Sequence, residues 1–321
     1  MIYDEVLNEL VKNPDGFSGE ELALRLKISR NAVWKAINRL RHDGYVIEGS
    51  TNRGYRLISA PDILNGAEIQ SYLKVSAELE VHKTIGSTNT RAKEVAESEP
   101  QYEKMPLFGR IIISDSQTAG RGRYGRKFVS NVSCGIYMSF LLHPSSRADE
   151  AIHITTRAAV AVAEAIESLA DVDVGIKWVN DLLINGKKIC GILTEASIDF
   201  ESGGLKYAVL GIGINVGQTV FPDDVASVAS SIEAECGRKI SRNRLCAEVI
   251  NRVYTMLSKG GTKYMNEYRR RSVAIGREVT VIRGDERYYA KVAGIDDNGR
   301  LEIEADGKTV KLSSGEISIK I

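Results

Sequence analysis

The hydrophobic period of this chain changes twice, and each change demands a different architecture. In residues 1 to about 60, apolar residues recur at helical spacing in three short segments: Val6, Leu7 and Leu10, then Leu22 and Leu26, then Val33, Ile37 and Leu40. From about Ile275 onward the spacing is that of short strands, in EVTVIRG, RYYAKVAGID, RLEIEA, KTVKLS and EISIKI, parted by the turns GDE, DDNG and ADGK. Between them, strands alternate with long helices. No one layer serves all three patterns, so the chain is expected to be an α+β multidomain protein with boundaries at 1–60, 66–270 and 275–321.

The first region reads as a helix-turn-helix with a wing. Ser18 and Ser29 stand where helix caps belong, and the third helix opens with Ser29-Arg30-Asn31 after a short turn. YVIEGSTNRGYRLI then makes a hairpin with Asn52-Arg53-Gly54 near its tip. From Arg25 to Arg56 there are eight basic residues against two acidic ones, the electrostatic footprint of a surface that contacts nucleic-acid phosphates. Ser29, Arg30, Asn31, Lys35, Arg39 and Arg53 are the candidate DNA-facing residues, because the second helix of such a unit reads the major groove. Trp34 and Ile37 are assigned to the core rather than to base contacts. Pro61, within APDILNG, marks a linker.

In the central region the clearest helices are DEAIHITTRAAVAVAEAIESLA, with Ile154, Ala158, Ala161, Val162, Ala165 and Leu169 on one stripe, and SRNRLCAEVINRVYTMLSK, with Leu245, Val249, Val253 and Leu257. Its strands are GRIIISDS, CGIYMSFLL, GIKWV, DLLI, CGILTEA and YAVLGIGINV. Hairpins together with a long helical connection imply a mixed or largely antiparallel sheet backed by helices. The last region fits a small β-barrel, and nothing in it reads as catalytic.

Charge over the whole chain decides little, since 43 basic residues balance 42 acidic ones. The N-terminus lacks a basic stretch leading into an apolar run, and no 18-residue apolar segment occurs, which implies a cytoplasmic protein that does not enter a membrane. Cys134, Cys190, Cys236 and Cys246 are scattered without C-x-x-C spacing and are read as reduced. With His42, His82, His143 and His153 equally dispersed, zinc chemistry is disfavoured, and catalysis must lean on Lys and Arg.

Four segments of the central region carry more polar chemistry than a plain core needs. GRGRYG, from Gly120 to Gly125, satisfies the glycine pattern of a dinucleotide loop, but that reading requires a helix at its third glycine and an acid about 20 residues on. Here a strand-like run follows instead. Arg121, Arg123, Arg126 and Lys127 make it an anion-binding loop that acts through side chains as well as backbone. The others are Ser87-Thr88-Asn89, which also suits a helix cap; KWVNDLLINGKKICGIL, with Lys177, Asn180, Asp181 and Lys188 around an Asn185-Gly186 hairpin turn; and GIGIN from Gly211 to Asn215.

In this order, behind a winged helix, STN, Q-x-A-G-R-G-R-x-G-R-K, K-W-x-N-D-L with K-x-x-G-I-L, and G-I-G-I-N resemble the bifunctional biotin protein ligase and biotin operon repressor family over essentially the full length. The resemblance implies a central domain similar to class II aminoacyl-tRNA synthetases and a C-terminal SH3-like barrel. It implies activation of biotin by ATP and Mg²⁺ to biotinyl-5′-adenylate, transfer to a lysine of a biotin carboxyl carrier protein, operator DNA as a further partner, and a homodimer promoted by the adenylate. By resemblance, Ser87, Thr88, Asn89, Gln117, Gly120, Arg121, Gly122, Arg123, Lys188, Gly211 and Gly213 hold biotin, while Lys188, Arg123 and Arg121 are catalytic. Arg123, Arg126, Lys177, Asn180 and Asn215 serve the nucleotide, and Asp181 the Mg²⁺. Val179, Phe128 and Cys190 depart from the family's usual proline, tryptophan and alanine and leave the charged residues untouched. Two alternatives stay open: a biotin sensor without catalysis, disfavoured by retention of the basic residues, and a lipoate or other acyl ligase, disfavoured by the winged helix and terminal barrel.

Overall fold

In the computed structural model, which describes residues 2–42, 45–50, 54–59, 62–98, 107–130, 134–143, 150–198, 205–217, 221–259, 261–284, 286–305 and 307–319, the chain divides into two units. One comprises residues 1–74 with 241–247, the other 75–240 with 248–321.

The first unit holds α1 (Ile2–Lys12), α2 (Gly19–Leu26) and α3 (Arg30–His42) around Leu7, Leu10, Leu22, Val33, Ile37 and Leu40, all essentially without exposure. Both expected caps form. The Ser18 hydroxyl accepts from the Glu21 amide at 3.1 Å while the Glu21 carboxylate accepts from the Ser18 amide at 2.8 Å, satisfying two otherwise orphaned groups at the start of α2. Ser29 Oγ accepts from the Ala32 amide at 3.1 Å and starts α3. Strands β1 (Val46–Ser50) and β2 (Gly54–Ser59) form the wing hairpin; its turn, including Arg53, lies outside the described residues, as does Pro61. Gly54 has a φ of +69°, and a Cβ there would lie 2.1 Å from the Phe17 carbonyl oxygen, so only glycine lets the wing strand approach the loop before α2. Helix α4 (Gly66–Tyr72) starts at Asn65. Asn243 closes this unit by donating to Ile63 O at 2.9 Å and to Glu68 at 2.8 Å, beside a fully buried Arg242 paired with Asp62. Burial pushes the Glu68 carboxyl up despite the Asn243 bond.

One core assignment is wrong. Ile37 is buried, but Trp34 is 54% exposed. The buried residues Val33, Ala36, Ile37 and Leu40 occupy the opposite flank, and position 34 lies roughly 100° around the helix from their midline.

The second unit is built on a seven-stranded sheet. In chain order it contains β3 (Leu79–Ile85), α5 (Thr88–Ser98), β4 (Phe108–Gln117), β5 (Gly135–Leu142), α6 (Glu150–Glu167), β6 (Gly175–Lys177), β7 (Asp181–Ile184), β8 (Lys187–Ile198), β9 (Leu205–Asn215), α7 (Asp223–Ala226), α8 (Ile232–Cys236), α9 (Arg242–Ser258) and α10 (Tyr264–Arg270); the first turns of α9 count with the first unit. The strand order is β3-β4-β5-β9-β8-β7-β6, with β3 and β4 parallel and every other pair antiparallel. The expected mixed sheet is therefore present. Asn185 and Gly186, at φ +50° and +78°, make the two-residue β7–β8 turn, whose primed geometry matches the strand twist.

Three details differ from the sequence reading. The GIKWV strand stops at Lys177, where Trp178 turns inward and donates from Nε1 to Gly299 O at 2.9 Å. Helix α6 is not a one-sided stripe: every residue from Ala158 to Ala163 is fully buried, which small side chains allow, and Leu169 lies past its end. Strand β5 is buried on both faces, with α5 covering part of the sheet through Ala92, Val95 and Ala96 against Ile112, Leu141 and Val209.

The last five strands, β10 (Glu278–Arg283), β11 (Glu286–Ile295), β12 (Leu301–Ala305), β13 (Lys308–Leu312) and β14 (Glu316–Ile319), form one antiparallel sheet in the order β13-β12-β11-β10-β14.

Candidate active site

One cavity of about 610 Å³ in the second unit gathers the four polar segments. Ser87, Thr88 and Asn89 reach it from the start of α5, and Gln117 from the end of β4. Arg121, Gly122, Arg123 and Arg126 enter from the basic loop; Lys177, Asn180, Asp181 and Lys188 from β6 to β8; and Gly211, Gly213 and Asn215 from β9. Gly120 alone among the candidates is not in the lining. It is buried beneath the loop, where a Cβ would lie 2.2 Å from Ser130 Oγ and 2.8 Å from Phe128 O, so its missing side chain makes room for the returning chain.

The floor is a fixed polar network. Gln117 Oε1 accepts from both the backbone amide and the hydroxyl of Thr88, at 2.8 and 3.1 Å, which commits the Gln117 carbonyl and leaves its NH₂ to donate elsewhere. Ser139, fully buried on β5, donates to Asn89 Oδ1 at 2.6 Å and lies 2.7 Å from Thr88 Oγ1. Asn89 Nδ2 donates to Glu195 at 2.7 Å, and Glu195 pairs with Lys93 at 2.6 Å. Burial pushes the Glu195 carboxyl up, but the hydrogen bonds from Lys93 and Asn89 outweigh it and hold the group ionised, below its ordinary range. Lys93, Ser139 and Glu195 escaped the sequence reading. An acid inside the apolar strand ILTEA was the available signal.

The β9 glycines make space for neighbours. A Cβ on Gly211 would meet Asn89 Oδ1 at 2.2 Å, and one on Gly213 the Phe128 ring at 2.6 Å.

No helix opens after Gly125. The loop makes one tight turn over Arg123–Gly125, with Tyr124 at φ +56°, and returns as Gly122 donates to Arg126 O at 2.7 Å and Gln117 to Ser130 O at 2.7 Å. The dinucleotide geometry is thus ruled out. Arg123 donates to Asn180 Oδ1 at 3.1 Å and to Gly315 O at 3.2 Å, while Arg126 pairs with Glu316 at 2.9 Å. Residues Glu316 to Ile319 themselves line the cavity, so the C-terminal region, in which nothing reads as catalytic, contributes part of its wall.

Lys188 Nζ lies 2.7 Å from Asp181 Oδ1. The Lys188 backbone is held between Val228 O and the Ser230 amide, and Asn215 steadies that same segment by donating to Ser230 O at 3.1 Å. Seven basic side chains but only two acidic ones, Asp181 and Glu316, line the cavity, so it suits a ligand carrying several negative charges. Among the described residues no three His, Cys, Asp or Glu side chains converge on a metal position, and the four cysteines are free thiols.

At the start of α3 in the first unit, the capping Ser29 and the helix residues Arg30, Asn31 and Lys35 are exposed. Arg39 is exposed too, but its guanidinium stacks over Tyr3 at 5.2 Å, on the α1 side.

Residues 4–56 match the model of an HTH domain, residues 81–215 that of the biotin/lipoate A/B protein ligase family, and residues 274–320 that of the biotin protein ligase C-terminal domain. The chain is 35% identical to the bifunctional ligase/repressor BirA of Bacillus subtilis, over 94% of this chain and 93% of that one. It belongs to the bifunctional biotin ligase/repressor family. The Escherichia coli member is 29% identical over 97% of this chain and 95% of that one. Among solved structures, a biotin protein ligase from Aquifex aeolicus in complex with biotin and ATP superposes with a TM-score of 0.63 at 27% identity, covering 76% of this chain and 98% of that chain.

Proposed function

We propose that the cavity of the second unit binds biotin and ATP side by side and is the ligase site of a two-function protein. The chain is an ATP-dependent biotin protein ligase and a DNA-binding repressor. A carboxylate oxygen of biotin attacks the α-phosphorus of ATP, the bond to the β-phosphate breaks, and pyrophosphate leaves. In the second step the amine of a lysine on a biotin carboxyl carrier protein attacks the carbonyl carbon of the adenylate, loses a proton, and AMP leaves.

The observation that carries this reading is the excess of cationic side chains facing a neutral, hydrogen-bonded floor within one cavity. Bringing a carboxylate to a triphosphate stacks like charges, and fixed cations offset that repulsion without reorganising. Lys188 and Arg121 serve the reacting carboxylate and phosphate; Arg123 closes the loop over them. Thr88, Ser87, Gln117 and the Gly211–Gly213 strand hold the ureido ring and tail, with Asn89 behind them. Lys177, Asn180, Asn215 and Arg126 serve the nucleotide. Magnesium takes oxygen ligands from one or two carboxylates and from substrate phosphates, and Asp181 beside Asn180 fits that limited demand. When bound, the ion neutralises phosphate charge.

The division into 1–60, 66–270 and 275–321 assigns operator binding to the first region, catalysis to the second and cavity closure to the third. The protein works in the cytoplasm, where carrier and operator both reside; no described helix is long and apolar enough to cross a membrane. Adenylate ordering of the basic loop favours a homodimer, which presents two copies of α3 to a two-fold operator. Release of pyrophosphate from ATP on adding biotin tests the catalytic reading, and its absence leaves only a sensor. Sedimentation with and without the adenylate tests the dimer.

A further inference from the structure

Trp34 stands out on α3. It is 54% exposed, while the chain's other tryptophan, Trp178, is 3% exposed. A half-exposed indole is unusual on a helix whose inward side is already filled by Val33, Ala36, Ile37 and Leu40. Its surroundings are polar and cationic. With about 100° per residue, Arg30 and Asn38 fall roughly 40° to either side of it and Asn31 roughly 60° away. Helix α3 carries no acid at all between Arg30 and His42. Among the described residues the indole has no hydrogen-bond or ring partner.

We propose that Trp34 is a base-reading residue, whose indole meets the C5-methyl edge of thymine in the major groove. This rests on the reading of the first unit as the operator-binding unit. Charge complementarity selects the occupant: an acid-free helix face bearing Arg30 and Lys35 suits a polyanion, and in the major groove thymine alone presents an apolar group. The basic neighbours hold phosphates and set the register, whereas the indole supplies apolar contact that depends on base identity.

The test uses duplexes enriched from a random-sequence library by the full chain in the presence of biotin and ATP. Trp34 is the exposed one of two tryptophans, so its emission should shift when such a duplex is added at constant ligand. Replacing thymines of the duplex one at a time by uracil, which lacks only the methyl group, should weaken binding at one or two positions per half-site by about 3- to 10-fold. Trp34→Ala should weaken binding by about tenfold, on the scale of one lost base contact, erase the thymine preference there, and leave the salt dependence unchanged. Lys35→Ala, in contrast, should reduce the salt slope by about one and keep that preference. Unchanged emission on binding, or equal affinity for every uracil duplex, overturns the proposal without any variant. An emission shift that tracks protein concentration in the absence of DNA would assign Trp34 to self-association and also overturn it. If no duplex is enriched at all, the operator-binding reading fails first and Trp34 falls with it.

Discussion

Gly211 and Gly213 sit two residues apart on β9 and face the same cavity, yet replacing each by alanine should have different consequences. At Gly211 the new Cβ would lie 2.2 Å from Asn89 Oδ1 and 2.9 Å from its Cγ. Asn89 cannot simply swing aside, because Ser139 donates to its oxygen at 2.6 Å and its nitrogen donates to Glu195 at 2.7 Å. A neutral hydrogen bond contributes about 0.5–1.5 kcal/mol and one to a charged group about 1.5–3 kcal/mol. Weakening both, with part of the geometry recovered by relaxation, should cost about 2 kcal/mol, within the range of about 1–3 kcal/mol seen when a packed core is overfilled. At Gly213 the new Cβ meets the Phe128 ring at 2.6 Å, and that ring belongs to the basic loop and is only half-buried. It can move. Gly213→Ala should therefore cost under about 1 kcal/mol of stability.

Urea unfolding separates the two, read as a shift of midpoint at constant slope. Function should separate them as well. Gly211→Ala disturbs the Thr88–Ser139–Asn89 floor and should raise KM for biotin about tenfold with KM for ATP little changed. Gly213→Ala should loosen the loop and increase escape of the adenylate. If Gly211→Ala matches the wild type in stability within about 0.5 kcal/mol, Asn89 is not locked as described, and the network loses its role in the site.

Lys188→Ala should slow single-turnover pyrophosphate release by at least ~10²-fold, the scale of one lost preorganised donor; a near wild-type rate removes Lys188 from the chemistry. Arg123→Gly loses its bonds to Asn180 and Gly315 and should label bystander lysines with biotin, whereas labelling confined to the carrier protein would give Arg123 another task. Burial pushes the Glu80 carboxyl up, but hydrogen bonds from Arg91 at 2.7 Å and His82 at 2.8 Å prevail and hold it at about 2 against an ordinary 4.5. Its contribution is therefore complete above the ordinary value and lost as pH falls toward 2, so the stability deficit of Glu80→Gln should be full at pH 7 and shrink below pH 4.5. A deficit of equal size at pH 7 and pH 3 would contradict the ion pairing.

Local chemistry was legible wherever neighbours in sequence decide it. Ser18 and Ser29 cap their helices because a hydroxyl needs to reach only three residues ahead. Asn185-Gly186 turns because both residues tolerate positive φ. The strand-like run after Gly125 was enough to exclude a dinucleotide loop, and Arg121, Arg123 and Arg126 of that loop do line the cavity. Burial was less legible, since periodicity marks the faces of an element without saying how many of them are covered. Helix α6 is covered on every side although its pattern resembles a single stripe, and Trp34 is left in solvent although tryptophan usually signals a core.

The site was legible in its residue types and much less so in its connections. Arg123 finds Gly315 across 192 residues of sequence, and Asn89 finds Glu195 across 106. No spacing rule reaches that far, because such pairs form only once the sheet order has placed β9 beside β5 and β8 beside β9, and the last strand beside the loop. This is also why the glycines were ambiguous. GIGIN reads equally as a ligand contact or as close packing until the neighbour of each missing Cβ is known, and the answer differs within two residues. Gly211 yields to an amide anchored by a half-buried carboxylate, and Gly213 to an aromatic ring carried on a loop. On the proposed ligase reading, the first glycine belongs to the hydrogen-bonded floor that would fix orientation, and the second to the loop wall that would keep a reactive anhydride from water.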